Sequence, residues 1–182
     1  FLLVGLPFLA VIILGFIVQS GIRKLLRFQT QEANSRLESE QRLHQREKSL
    51  ILYRLETELE ENKSRVEAFL TVYMEMLSNI KDKKVTPQYQ QSGDVVAMQP
   101  SFAKDIFHEN IDKLSALDVK LAAEISKFYE NMDTEAEYLD LPSSTPREEA
   151  VTIVERIVTN AREFLPALDR ALNLLHSHLK QA

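Results

Sequence analysis

Apolar residues fill the first eighteen positions without a single charge, and a basic cluster follows at Arg23, Lys24 and Arg27. A helix of about 20 apolar residues crosses a bilayer core about 30 Å thick, and about 17 can suffice. The pattern therefore predicts a single transmembrane helix over residues 1–22. A cleaved signal peptide is the alternative, but its apolar region is usually only about 7–15 residues long.

The basic cluster also predicts an orientation, because short flanks rich in Lys and Arg stay on the cytoplasmic side of a membrane. We expect a single-pass protein of a bacterial inner membrane whose remaining residues are cytoplasmic, with a periplasmic location as the alternative. Arg23, Lys24 and Arg27 are the predicted membrane-interface residues, in contact with the headgroups of the lipid bilayer.

A polar stretch over residues 29–49 has only three apolar positions, Ala33, Leu37 and Leu43, and it has neither Gly nor Pro. Its Glu, Gln, Arg and Leu favour a helix that water surrounds on all sides. We interpret residues 23–49 as a basic juxtamembrane segment followed by a polar helical stalk. A loose parallel coiled coil is the alternative, and it leaves a homo-oligomer possible.

From residue 50 the apolar residues follow a heptad repeat over four heptads, which is typical of a helix packed against other helices. The first series of the repeat is Leu52, Leu59, Val66, Tyr73 and Ile80, and the second is Leu55, Asn62, Phe69 and Met76. Asn62 interrupts the apolar face. A buried Asn can set the register of packed helices, whereas an Asn at the edge of the bundle would be solvated.

Residues 81–100 have no sustained periodicity and contain two prolines. A connection of about twenty residues is long for a compact domain and is usually either functional or disordered. Val95, Val96 and Met98 are the candidate partner-binding residues of this predicted loop. Alternatively, they fold back and cover the end of the bundle.

Three further helices are predicted after this loop. Ser101 can cap a short helix, Asp118 can cap a second one that continues to Leu139, and Thr145 with Glu148 forms a capping box for the last. Heptad-spaced apolar residues then extend from position 151 to position 179.

The expected fold is all-α: the transmembrane helix continues into the stalk and then into an antiparallel three- to four-helix bundle over residues 50–182.

Composition limits the kinds of functional site that this chain can form. The chain has 182 residues, a formal charge of -5 and no cysteine, which excludes thiolate metal sites and disulfides. His176 and His178 lie on different faces of one helix, and His44 and His108 are far from them in the sequence. We expect no metal, no cofactor and no catalytic residue, and the acidic charge argues against nucleic acid as a partner.

These patterns predict a membrane-anchored, non-catalytic scaffold or accessory subunit whose partners are the other subunits of a larger membrane complex. The alternative is a single-span sensor whose helical bundle binds a ligand and resembles the ligand domains of bacterial receptors. No motif identifies a specific family.

Overall fold

The fold consists of helices and one small sheet, and the computed structural model describes the backbone of residues 2–180 and the side chains of Lys24 and residues 27–180. The chain divides into two compact units, residues 1–46 and 47–182. In chain order the elements are α1 (Leu2–Lys81), α2 (Gln88–Ser92), β1 (Asp94–Ala97), α3 (Asp105–Leu117), α4 (Val119–Tyr129), β2 (Tyr138–Leu141) and α5 (Arg147–Leu179).

The prediction of a transmembrane helix is corrected by this structure. Among the described residues, no helix has both the length and the apolar character to cross a membrane. The predicted span over residues 1–22 and the side chain of Arg23 lie outside the residues whose side chains are described, while Lys24 and Arg27 are exposed. The single-pass topology and the inner-membrane location are corrected with it, while the role of Arg23, Lys24 and Arg27 at a lipid interface is not tested by these residues.

Within the first unit, every side chain from residue 27 to residue 46 is exposed. Two ion pairs lie on this surface, and each joins residues one helical turn apart. Arg36 contacts Glu32 at 2.6 Å, and Arg42 contacts Glu38 at 3.3 Å. Such pairs stabilise a helix by about 0.2–0.5 kcal/mol each. This part of α1 is therefore held by its own helix-forming residues and not by a core.

In the second unit, the predicted heptad face of α1 is confirmed as a core surface. Leu52, Leu55, Leu59 and Val66 are fully buried. Three side-chain contacts connect α1 to α5, namely Glu56–His176 and the ion pairs Lys63–Asp169 and Lys81–Glu155. The partner's number falls as the α1 number rises, so the two helices are antiparallel.

Helices α3 and α4 lie beside this pair, and α3 runs antiparallel to α1. Arg54 of α1 contacts Glu109 at 3.0 Å, and Lys48 contacts Asp118 at 2.6 Å. The predicted cap of α4 is confirmed, because the carboxylate of Asp118 accepts a hydrogen bond from the Leu121 N–H at 3.0 Å. The other predicted boundaries were less accurate: α3 begins at Asp105 and α4 ends at Tyr129.

The all-α prediction is also wrong, because β1 and β2 form a two-stranded antiparallel sheet. The predicted loop over residues 81–100 instead contains α2 and β1, joined at Gly93, whose φ of 75° favours glycine. Val96 and Leu141 are buried in the core shared with the helices. An isolated pair of strands is only marginally stable, so this packing holds the sheet in place.

The start of α5 differs from the predicted capping box. The helix begins at Arg147, its N-cap residue is Pro146, and no side chain caps it. Thr145 belongs to the preceding turn, where its N–H donates to the Pro142 carbonyl at 2.9 Å. Its carbonyl accepts a hydrogen bond from the Tyr89 hydroxyl at 3.3 Å. The local turn and the tertiary contact with Tyr89 thus position Thr145 outside the helix.

Candidate functional site

Glu58 is the buried acidic residue of the second unit, with only 2% of its surface exposed. Its carboxylate accepts hydrogen bonds from the N–H groups of Ile106 at 2.6 Å and Phe107 at 3.1 Å, in the first turn of α3. The hydroxyl of Tyr129 donates a third at 2.8 Å. A side chain of α1 therefore caps α3 from outside that helix, where carboxylates are stabilised by unpaired N–H groups and the helix dipole.

The surroundings of Tyr129 keep its hydroxyl protonated, so that it can donate this hydrogen bond. Burial raises the pKa of Tyr129, and the charge of Glu58 and the hydrogen bond to it raise the pKa further. The phenol ring stacks on Phe107 with 4.2 Å between ring centroids. Stacking therefore holds the phenol ring in place, and the protonated hydroxyl is the form that can donate a hydrogen bond to Glu58.

Asn62 lies one turn further along α1 and is fully buried, not at a solvated edge of the bundle. Its amide N–H donates to the Ala103 carbonyl at 2.8 Å, and its amide oxygen accepts from the Ala103 N–H at 2.7 Å. The side chain thus pairs with both backbone groups of one residue in the segment before α3. Asn62 as a register-setting residue remains a prediction. The register concerned is that of the segment before α3 along α1.

These buried polar groups each bind a backbone group or a neighbouring side chain of the fold. His176 contacts the carboxylate of Glu56 through its Nε2 atom, and His44 and His108 are exposed. Among the described residues, no three His, Asp or Glu side chains are placed to hold a metal ion. The polar chemistry that the structure shows in the interior is therefore that of helix caps and segment pairing.

The sheet has two different faces. Its register places Val96 opposite Leu139 and Ala97 opposite Tyr138. Because successive side chains of a strand point to opposite faces, Val96, Leu139 and Leu141 face the core. The other face has Val95 and Tyr138, which are 57% and 70% exposed.

The hydrogen-bond ladder determines which backbone groups point outward. The N–H of Met98 donates to the Glu137 carbonyl at 2.7 Å. Since bonded pairs alternate in an antiparallel ladder, Val96 and Leu139 bond each other. The intervening pairs are Val95–Asp140 and Ala97–Tyr138. Their N–H and C=O groups point away from the ladder, towards the two outer edges of the sheet.

At the outer edge of β1 these N–H groups have partners within the protein. The N–H of Ala97 donates to the Tyr73 hydroxyl at 2.6 Å, and the N–H of Val95 donates to the Asp94 carboxylate at 2.9 Å. Burial raises the pKa of Tyr73, which keeps its hydroxyl protonated. Tyr73 of α1 and Asp94 of β1 itself therefore satisfy the outward N–H groups of this edge.

At the outer edge of β2 the backbone groups of Tyr138 and Asp140 point to solvent. Both residues are exposed, and within the described part of the chain none of their outward N–H and C=O groups has a hydrogen-bond partner. We call these outward groups of Tyr138 and Asp140 the open edge. An edge of this kind can accept one more strand.

The predicted partner-binding residues do not form one surface. Val95 is exposed, but Val96 has only 2% of its surface exposed and belongs to the core. Met98 is half-buried against that core. The prediction for Val96 is corrected, because the alternation of a strand places neighbouring residues on opposite faces. The alternative prediction, that this segment folds back and covers the end of the bundle, describes the buried Val96 and the half-buried Met98 better.

An apolar groove of about 500 Å³ lies between α4 and α5. Its apolar lining includes Phe128, Met132, Phe164 and Leu174, and its polar lining consists of Glu124, Lys127, Asn131 and Arg170. Its volume is within the range of about 300–1,000 Å³ usual for small-molecule sites.

The comparisons with known proteins add no assignment: no protein-family model, no curated protein and no solved structure matches this chain.

Sequence reasoning missed the open edge and the role of Glu58. The alternation of Tyr138, Leu139, Asp140 and Leu141 was the available signal for β2, but it covers only four residues. The sequence contains no signal for the capping role of Glu58, because a Glu beside apolar heptad positions is typical of a solvated helix surface.

Proposed function

We propose that this chain is a non-catalytic adaptor or accessory subunit that binds an extended segment of another protein along the open edge of β2. Main-chain hydrogen bonds to an exposed sheet edge provide affinity in this mode of recognition, and alternate side chains provide specificity. The observation that carries the proposal is the outward N–H and C=O groups of Tyr138 and Asp140 at an exposed strand.

The surroundings of β2 support this function because they hold the edge in a strand conformation before anything binds. Leu141 is anchored in the core, and Tyr73 holds β1 on the far side through the Ala97 N–H. A preorganised edge loses less conformational entropy on binding than a mobile segment does. The satisfied interior, with Glu58 and Asn62 bonded to backbone groups, fits a rigid binding domain.

A proline at the open edge tests the proposal. Proline has no N–H to donate, and it is tolerated in edge strands where that N–H faces solvent. Asp140→Pro should therefore keep the β1–β2 ladder while it removes one donor from the open edge. Val95→Pro is the matched control, since it removes an outward N–H from the edge that the protein already closes.

The probe is a library of phage-displayed decapeptides selected against the full chain. We expect selected peptides to slow the amide hydrogen exchange of Tyr138 and Asp140, and to lose binding to Asp140→Pro but not to Val95→Pro. Circular dichroism and the melting temperature verify that each variant is folded. Selected peptides that bind equally to the folded Asp140→Pro variant would show that strand addition at β2 is not the function.

A second candidate function, that of a ligand-binding sensor domain, is favoured by the groove between α4 and α5. Its apolar lining lies beside two cationic residues, Lys127 and Arg170, and one carboxylate, Glu124, and this excess of positive charge suits an apolar molecule with an anionic end. A thermal-shift screen of long-chain carboxylates tests this candidate: stabilisation that Arg170→Gln reduces supports it, and no stabilisation by any of them excludes that ligand class.

A further inference from the structure

We infer that the segment bound at the open edge is basic, with Lys or Arg at alternate positions. This inference rests on the proposed function and specifies the chemistry of its partner. It starts from the charges that surround β2.

The sequence on both sides of β2 is strongly acidic. Residues 130–149 contain seven acidic residues and one basic residue. The acidic residues are Glu130, Asp133, Glu135, Glu137, Asp140, Glu148 and Glu149. The basic residue, Arg147, donates to the carbonyls of Asp82 at 3.1 Å and Val85 at 2.7 Å. It is therefore engaged with the turn after α1.

The geometry of strand pairing brings the alternate side chains of a bound segment close to this charge. Tyr138 and Asp140 share the solvent face of β2. Side chains directly opposite each other in neighbouring antiparallel strands have Cβ atoms about 4.5–5.5 Å apart. A Lys or Arg opposite Asp140 would form an ion pair, and the next basic residue on that face would meet the Tyr138 ring in a cation–π contact.

The same charges argue against a second copy of this chain as the occupant. Pairing of β2 with β2 in a two-fold arrangement would place two copies of the acidic segment side by side. Like charges directly opposite each other in a sheet are destabilising. Acidic side chains at an edge strand are also a known means by which proteins avoid pairing with themselves.

Three synthetic octapeptides test the inference. Each alternates Val with one other residue, which is Lys in the first, Gln in the second and Glu in the third. The dissociation constants for the full chain are measured by fluorescence anisotropy at low and high salt. We expect the Lys peptide to bind about five-fold or more tightly than the Gln peptide at low salt, with the difference lost at high salt, since screening weakens exposed charge pairs.

Amide exchange at Tyr138 and Asp140 separates failure of this inference from failure of the proposed function. Equal binding of the Lys and Gln peptides with slowed exchange at these amides would overturn the charge preference and leave strand addition intact. Binding of the Lys peptide without slowed exchange there would overturn both. Association of the chain with itself through these amides would overturn the assignment of a basic partner.

Asp140→Asn measures the charge contribution at the open edge, because it keeps the backbone donor and removes the negative charge. We expect it to reduce the preference for the Lys peptide over the Gln peptide by about two-fold or more, as loss of one exposed pair implies. Asp112→Asn, an exposed position on α3, is the matched control and should leave the preference unchanged. An unchanged preference in Asp140→Asn would contradict an ion pair at this position.

Discussion

The two described parts of α1, residues 27–46 and residues 47–81, belong to one helix but are stabilised differently. Every side chain of the first part is exposed, and its contacts are pairs within the helix such as Arg36–Glu32. The second part contributes Leu55, Glu58 and Asn62 to the interior. Helical structure therefore comes from intrinsic propensity in the first part and from tertiary packing in the second.

This difference implies that one substitution should have unequal effects in the two parts. The predictions below compare matched pairs of positions, beginning with the largest expected effect. All five tyrosines lie between positions 53 and 138, so tyrosine fluorescence reports unfolding of the second unit. Far-UV circular dichroism reports the helix content of both.

Leu55→Ala should lower the free energy of unfolding by about 2–5 kcal/mol, because it leaves a cavity where a fully buried side chain was. Leu43→Ala makes the same change at a residue that is 64% exposed and should change it by less than about 0.5 kcal/mol. Urea unfolding followed by tyrosine fluorescence measures both. Equal losses at the two positions would contradict the assignment of the core.

Glu58→Gln should lower the free energy of unfolding by about 2–3 kcal/mol, in the range for hydrogen bonds to charged groups. The carboxylate accepts three hydrogen bonds, whereas a Gln amide presents N–H groups towards some of those donors. Glu38→Gln weakens only an exposed pair with Arg42 and should cost less than about 0.5 kcal/mol. The same urea titration measures both variants. An unchanged free energy of unfolding in Glu58→Gln would show that the cap of α3 contributes nothing to stability.

Asn62→Ala should cost about 1–3 kcal/mol, because it leaves the Ala103 N–H and C=O without their partner. Asn34→Ala, at an exposed position, should be neutral or stabilising by a few tenths of a kcal/mol because Ala is the better helix former. Amide exchange at Ala103 is the direct measurement, and it should accelerate in Asn62→Ala alone. Unchanged exchange there would remove the proposed role of Asn62 in holding this segment.

The smallest effect concerns pH and the pair between Lys48 and Asp118. The hydrogen bond from Lys48, followed by that from the Leu121 N–H, holds the pKa of Asp118 below its usual 3.8. The contribution to stability is therefore present above about pH 4 and is lost as the pH falls through the lowered pKa. Asp118→Asn, which keeps a capping side chain, should be less stable than the natural protein at pH 7 by under about 1 kcal/mol.

Urea unfolding of this variant and of the natural protein, repeated from about pH 7 to about pH 2, tests the linkage. The difference between the two should shrink as the pH falls. A difference that stays constant across this range would mean that the charge of Asp118 adds nothing to its role as a cap.

Helices were the most predictable part of the fold. The heptads of Leu52 and Leu55 identified the buried face of α1, and Asp118 identified the start of α4. These signals are local, because helix periodicity and capping involve residues a few positions apart. The capping box at Thr145 failed although it is equally local, since contacts with Pro142 and Tyr89 hold Thr145 outside the helix.

The candidate site was far less predictable. The exposed Val95 was among the predicted partner-binding residues, but the open edge at Tyr138 and Asp140 was not. A strand of four residues has too few alternating positions to be distinguished from a loop. Its partner is remote in the sequence, as the pairing of Asp94 with Leu141 shows.

By itself, the sequence determined that the chain forms long helices and which face of α1 and α5 is apolar, because a helix satisfies its hydrogen bonds within four residues and its periodicity reveals its buried side. Only the tertiary structure decided that residues 94–97 pair with residues 138–141, that Glu58 caps α3, and that Tyr73 of α1 binds the outer edge of β1 while the edge of β2 stays open. These outcomes depend on groups far apart in the chain, whose pairing follows from which surfaces the packed helices leave available.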